Sequence, residues 1–219
     1  MLFRHKIVKC IAWFIGVVGT IVILGWVFDT PVLKSILPQW ASMKFSTATC
    51  FVSSGVMLFF MVKAKEGHFT LAQTFIAIAT LIITMFMSSL LMFVILHVKT
   101  GIEDLFVKES ALTAFTPMPG RPSIGTMVNF LFVSISGLVA MTSFRRVSSI
   151  MKALAFSISI IGSVAIIGYI LNISAFYYVY KDVSGGMALH TAILFVLYSV
   201  GLYLLYIRED KNSRAVGES

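Results

Sequence analysis

A chain of 219 residues with 58% hydrophobic residues, 12% charged residues and a mean hydropathy of +0.96 carries more apolar surface than a soluble domain of that length can bury, and it reads as an integral membrane protein. Its apolar stretches are continuous rather than alternating, which excludes a membrane β-barrel and points to helices. The formal net charge of +8 clusters beside the ends of those stretches, with no basic face bearing interleaved aromatics, so nucleic-acid binding is excluded as its explanation.

Six runs are long enough to cross a bilayer, which takes about 20 residues each: 7–28, 45–62, 69–98, 126–144, 151–171 and 188–207. Arg4, Lys6 and Lys9 precede the first run as they would a signal peptide. The run is longer than a signal's apolar core and no small-residue cleavage pattern follows, so a retained span is expected. Connections near 63–68 and 145–150 are short, and short connections force neighbouring helices to be antiparallel and in contact. Connections near 29–44, 99–125 and 172–187 are longer. Their apolar runs (Val32-Leu33, Leu105-Phe106-Val107, Phe176-Tyr177-Tyr178) are expected as short helices lying at the membrane surface.

Most basic residues fall in the termini and the short connections: Arg4, Lys6, Lys9, Lys63, Lys65, Arg145, Arg146, Lys152, Arg208, Lys211 and Arg214. Positive charge is retained on the cytoplasmic side, so both termini are expected there, in a multi-pass protein of the plasma (inner) membrane. The predicted fold is an all-α integral membrane protein, a single domain over 1–207. Its six transmembrane helices form three repeated hairpins (about 7–62, 69–144 and 151–207) with pseudo-threefold symmetry, and a short polar tail covers 208–219. Cys10 and Cys50 fall at opposite ends of their helices, which argues against a disulfide.

The hairpins carry a repeated motif. Gly25-Trp26-Val-Phe-Asp29-Thr30-Pro31-Val-Leu33 runs on to Met43 and Ser46-Thr47-Ala48, ending at Phe51. Gly168-Tyr169-Ile-Leu-Asn172-Ile-Ser-Ala-Phe176 runs on to Met187 and His190-Thr191-Ala192, ending at Phe195. A weaker copy of the second part is Pro122-Ser-Ile-Gly125-Thr126-Met127, ending at Phe130. Aligning the copies matches Asp29 with His97 and Asn172 at the outer ends of the first helices. On the second helices it matches Ser46 with Gly125 and His190, Thr47 with Thr126 and Thr191, and Phe51 with Phe130 and Phe195. Gly55, Ser134 and Ser199 come four residues further on. Spacing of four puts the Thr, Phe and small residue on one face of each helix.

Two readings apply to that face. Small and hydroxyl residues let membrane helices approach and hydrogen-bond, which accounts for the Phe and Gly/Ser positions by packing. Polar groups recurring at one depth in otherwise apolar spans also suggest an outward-opening ligand pocket. It would be ringed by Asp29, Asn172, Ser46, Thr47, Thr126 and Thr191, with Trp26 and Tyr169 as aromatic walls. His97 and His190, at matching outer depths, are either helix-end residues or a metal or b-type haem pair, since neutral imidazole suits both. His5 and His68 stand among lysines in the basic flanks. Asn129 and Gln73 are expected to hydrogen-bond between helices.

The spans hold almost no ionisable residues, which counts against a proton-coupled carrier or ion pump. No nucleophile–base pair or phosphate loop is present, and no enzyme is expected. The Gly-Trp-Val-Phe-Asp-Thr-Pro-Val-Leu-Lys-Ser-Ile-Leu-Pro segment with its following Thr-Ala, Gly101-Ile102-Glu-Asp-Leu-Phe, and Met187-Ala-Leu-His-Thr-Ala together resemble the multi-span N-terminal sensor regions that precede PAS, histidine-kinase and diguanylate-cyclase modules in prokaryotic signalling proteins. The resemblance implies a sensing or ligand-binding module without catalytic output of its own, acting through a partner such as a signalling kinase or cyclase. An accessory subunit of a larger membrane complex is the alternative from a different class.

Overall fold

The computed structural model describes residues 2–37, 40–96, 120–143, 145–178 and 185–207. Among them are seven α-helices, one 3-10 turn and no strand. In chain order these are α1 (Leu2–Val27), α2 (Pro31–Lys34), α3 (Phe45–Lys65), α4 (Phe69–Ile95), α5 (Ile124–Ala140), α6 (Val147–Ile170), the 3-10 turn Ser174–Phe176 and α7 (Leu189–Tyr206). Five of the helices, α1, α3, α4, α6 and α7, are long and apolar enough to cross a membrane. The sixth apolar helix, α5, has 17 residues. The described residues are therefore all-helical, and the protein is a membrane protein in contact with lipid.

Neighbours in the chain are neighbours in space. α1 packs on α3, α3 on α4, α4 on α5, α5 on α6, α6 on α7, and α7 returns to α1, closing a ring. α3 also touches α5 and α7. More than half of the apolar stretch of α3 and of α7 is buried, against a third or less for α1, α4 and α6. The second helices of the first and third expected hairpins thus lie inward. At the centre Phe51, Phe130 and Phe195 meet ring to ring, with centroids 4.8, 4.9 and 4.8 Å apart and none of the three exposed. Tilted and edge-on contacts of this kind are favourable for aromatic quadrupoles.

Lipid is as apolar as these side chains, so burial alone does not hold the helices together, and close packing with hydrogen bonds between helices must. Two helix pairs use the same device. A Cβ on Gly19 of α1 would stand 2.8 Å from the Ala48 carbonyl of α3 and 3.0 Å from Val52. One on Gly162 of α6 would stand 2.9 Å from the Ala192 carbonyl of α7 and 3.1 Å from Val196. Hydroxyls also join helices, both in other pairs and again between α6 and α7. Thr84 of α4 bonds Ser134 of α5, Ser136 of α5 bonds Tyr198 of α7 at 2.9 Å, and Ser148 of α6 donates to the Tyr206 carbonyl of α7 at 2.8 Å. Gln73, expected between helices, is exposed on α4 instead. Cys10 and Cys50 are both free thiols.

The short connection after α3 turns at Gly67 (φ 98°). Glu66 there receives Lys9 of α1 at 2.7 and 2.9 Å, with Lys63 at 3.5 Å and His5 at 3.7 Å, fastening the start of α1 to the turn. Lys9, first by its hydrogen bond and then by its charge, holds the Glu66 carboxyl below its ordinary range. Short helical segments occur in the first and third long connections: α2 contains Val32-Leu33, whereas the 3-10 turn takes in Phe176 but not Tyr177 and Tyr178, which are buried. The surface helix expected at Leu105-Phe106-Val107 lies outside the described residues.

Candidate functional site

The repeated motif assembles at the end of the bundle opposite the basic turns, and its two parts behave differently. In the first part α1 and α6 end in the same chain reversal. Asp29 and Asn172 adopt the left-handed conformation, at φ 51° and 56°. Thr30 N–H donates to the Gly25 carbonyl and Ile173 N–H to the Gly168 carbonyl, both at 2.8 Å. Asp29 and Asn172 N–H donate to Trp26 and Tyr169, both at 3.4 Å. This is the six-to-one and five-to-two pattern that satisfies the last carbonyls of a helix. Aspartate and asparagine are, after glycine, the residues that accept its left-handed position. The returning chain then lies so close that a Cβ on Gly25 would stand 2.5 Å from Leu33 Cβ, and one on Gly168 2.7 Å from Phe176 Cβ.

Each reversal is stapled to the start of the next span. Trp26 Nε1 donates to the Met43 carbonyl at 2.8 Å, and Tyr169 Oη to the Met187 carbonyl at 2.9 Å. Tyr169 also stacks on Tyr177 at 4.0 Å and meets Trp40 at 5.1 Å. Asp29 points away from the bundle and pairs with Lys34, whose ammonium lies 4.4 Å from the centroid of the Trp26 ring. That hydrogen bond, and next the lysine's charge, pull the Asp29 carboxyl below its ordinary range. Asn172 is exposed as well. The chain's own reversal accounts for these four residue types, and it draws Trp26 and Tyr169, but not Asp29 and Asn172, towards the bundle.

The second part lies in the first turns of α3, α5 and α7. Thr47, Thr126 and Thr191 are buried one turn above the phenylalanine triad. Thr126 is held by Ser123, which caps α5: its hydroxyl accepts the Thr126 N–H at 3.1 Å and bonds the Thr126 hydroxyl at 2.7 Å. One residue before Thr47 and Thr191, at the positions that match Gly125, Ser46 Oγ and both ring nitrogens of His190 are enclosed with no hydrogen-bond partner among the described residues. Asn129, fully buried, donates to the Ile158 carbonyl of α6 at 3.4 Å as expected of a contact between helices, and its Oδ1 is likewise unanswered. A cavity of about 200 Å³ opens beside these turns between α5 and α6, with Ser123, Gly125, Tyr177 and Met187 on its wall.

Sequence reasoning missed two residues here. Lys44 and Arg121, which read as ordinary outer-loop cations, are 3% and 1% exposed. They immediately precede the segments that open α3 and α5, where positive helix ends already gather, and Lys44 donates to Ser42 Oγ at 3.3 Å. No signal in the local sequence marks their enclosure. His97, the expected partner of His190, lies outside the described residues. Among the described residues no three His, Cys, Asp or Glu side chains are grouped to hold a metal ion. No family model, curated protein or solved structure with which the chain was compared matches it.

Proposed function

We propose that this chain is a membrane-embedded sensing or ligand-binding module that takes a polar ligand at the outer ends of α3, α5 and α7 and passes the resulting change to a partner protein. In this reading α5 is a sixth, short span, and the six helices are three hairpins about a pseudo-threefold axis through the phenylalanine triad. The basic turns and both termini face the cytoplasm, and the membrane is the plasma (inner) membrane. The shared contacts of Gly19 and Gly162, and of Trp26 and Tyr169, support the repeat.

One observation carries the binding assignment: His190 and Ser46, at matching positions, hold enclosed polar atoms that the described residues leave unsatisfied. Such an atom costs about 1–3 kcal/mol, and a site kept at that cost is characteristic of recognition. Neutral imidazole both donates and accepts, and Ser46 adds a hydroxyl, so the ligand would present hydrogen-bonding groups of both kinds.

The test is a thermal-shift screen of small polar metabolites on purified wild-type protein and on His190→Phe, which keeps the ring and removes the nitrogens. The expected result is a compound that raises the midpoint of wild type only, together with a ligand-free His190→Phe more stable by about 1 kcal/mol. A shift that survives in His190→Phe refutes the assignment. An absorption spectrum of the same sample reports any haem. Copurification in fixed ratio with enzyme or transporter subunits would instead identify an accessory subunit. In a Cys10→Ser background, external thiol reagents should label Ile36→Cys and leave Ser149→Cys untouched. Labelling of Ser149→Cys reverses the topology.

A further inference from the structure

We propose that the groove between α1 and α3 on the lipid-facing surface is a binding site for an anionic phospholipid of the leaflet that meets the basic turns. The groove has a volume of about 540 Å³, and none of Ser46, Thr47, Thr126, His190 and Thr191 lines it. Its floor is made by Gly16 and Gly55, and its walls by Trp13, Val17, Val56 and Phe59. It exists because of a specific omission. A Cβ on Gly55 would strike the Ala12 carbonyl at 2.7 Å, so the helices are pressed together there, whereas a Cβ on Gly16 would meet nothing within 4 Å. One glycine closes the helix pair and the other leaves a slot open to lipid.

Both walls of the slot end in lysines on the same helix faces. On α1 the face runs Lys6, Lys9, Trp13, Gly16, Val17 and Thr20, at helical spacings of three and four. On α3 it runs Val52, Val56, Phe59 and Lys63. Phe59 joins the apolar slot to the charged end: Lys9 Nζ and Lys63 Nζ lie 5.9 and 6.0 Å from its ring centroid. From Ile21, at the deep end of the slot, to Lys9 is about 18 Å of helix. That is close to the depth of one leaflet of a hydrocarbon core about 30 Å thick.

Charge decides which lipid. Lys9 and Lys63 share the single carboxylate of Glu66, and Lys6 beside them is exposed, so the site has an excess of positive charge at the headgroup level. A phosphatidylcholine headgroup carries its own cation and gains little there, whereas a phosphatidylglycerol or similar net-anionic headgroup gains from each lysine. A transmembrane helix of a partner would match the slot but leave the lysines unanswered.

Delipidated full-length protein in mild detergent, titrated with 1-palmitoyl-2-oleoyl phosphatidylglycerol or the phosphatidylcholine with the same chains and read by native mass spectrometry, tests this. The expected result is tenfold or greater preference for phosphatidylglycerol, with glycerol phosphate at equal concentration failing to compete. Lys6→Gln, at an exposed position, should weaken phosphatidylglycerol about fivefold and leave phosphatidylcholine unchanged. Glu66→Gln should strengthen it, a gain that a merely structural lysine cluster would not produce. Gly16→Leu, whose Cβ meets nothing within 4 Å and whose side chain would occupy the slot, should abolish retention of both lipids. Equal retention of the two lipids overturns the proposal. So does competition by glycerol phosphate, or retention unaltered in Gly16→Leu. Dimers that Gly16→Leu disperses would overturn it as well, by assigning the slot to a second copy of the chain.

Discussion

The two parts of the repeated motif are equally prominent as sequence and differ as chemistry. In the reversals that end α1 and α6, every distinctive residue is answered by the chain itself: Gly25 and Gly168 by the returning backbone, Asp29 and Asn172 by their left-handed conformation, Trp26 and Tyr169 by a carbonyl of the next span. In the first turns of α3 and α7, Ser46 and His190 hold enclosed polar atoms that none of the described residues answers. Repetition marks positions under constraint, and the hydrogen-bond account of each position separates a constraint of folding from one of recognition.

The sharpest way to break this comparison is to overfill the matching helix contacts. Gly19→Leu and Gly162→Leu each drive a side chain into a backbone carbonyl of the neighbouring helix, which cannot rotate away as a side-chain tip can. Each is expected to destabilise the protein by about 3 kcal/mol, measured as the midpoint of thermal unfolding in detergent. Similar losses for the two variants would fit one contact used twice. A harmless Gly162→Leu would sink the equivalence of the two hairpins.

Next in size are the staples. Trp26→Phe and Tyr169→Phe keep an aromatic ring and remove the donor to the Met43 or Met187 carbonyl, each at a cost of about 1–2 kcal/mol. Here the comparison sharpens, because His190→Phe makes the same kind of change one part of the motif away and is expected to act in the opposite direction. Loss of stability in all three variants would mean that His190 has a structural partner, and the binding assignment would fail with it.

Helix existence was legible because hydropathy is a sum over many residues. The spans read at 45–62, 69–98, 151–171 and 188–207 lie within a few residues of Phe45–Lys65, Phe69–Ile95, Val147–Ile170 and Leu189–Tyr206. The start of α1 was less so. It begins at Leu2 rather than near residue 7, since Arg4, Lys6 and Lys9 are good helix formers, and hydropathy marks where lipid ends rather than where the helix does. The end of α5 at Ala140, short of the expected 144, shows the same limit. The left-handed caps were written in the sequence as a glycine followed four residues later by Asp or Asn, but polar residues at one depth suggested a pocket more readily than a turn. Burial of Lys44 and Arg121 could not be read at all. Whether a loop cation is enclosed depends on which distant segments fold over it, and no local pattern records that.

The smallest expected effect separates the two parts most cleanly. Exchanging the cap residues, Asp29→Asn together with Asn172→Asp, keeps two side chains that tolerate the left-handed conformation and moves one exposed charge from α1 to α6. If the reversals serve the fold alone, the double variant should unfold at the wild-type temperature within measurement error and should show the wild-type response to any ligand found with His190. The pair Asp29–Lys34 is lost, but it lies at the surface, where such pairs contribute little and are screened by salt. An altered ligand response with unaltered stability would place Asp29 or Asn172 in the binding site, and the division of the motif into a folding part and a recognition part would have to be withdrawn.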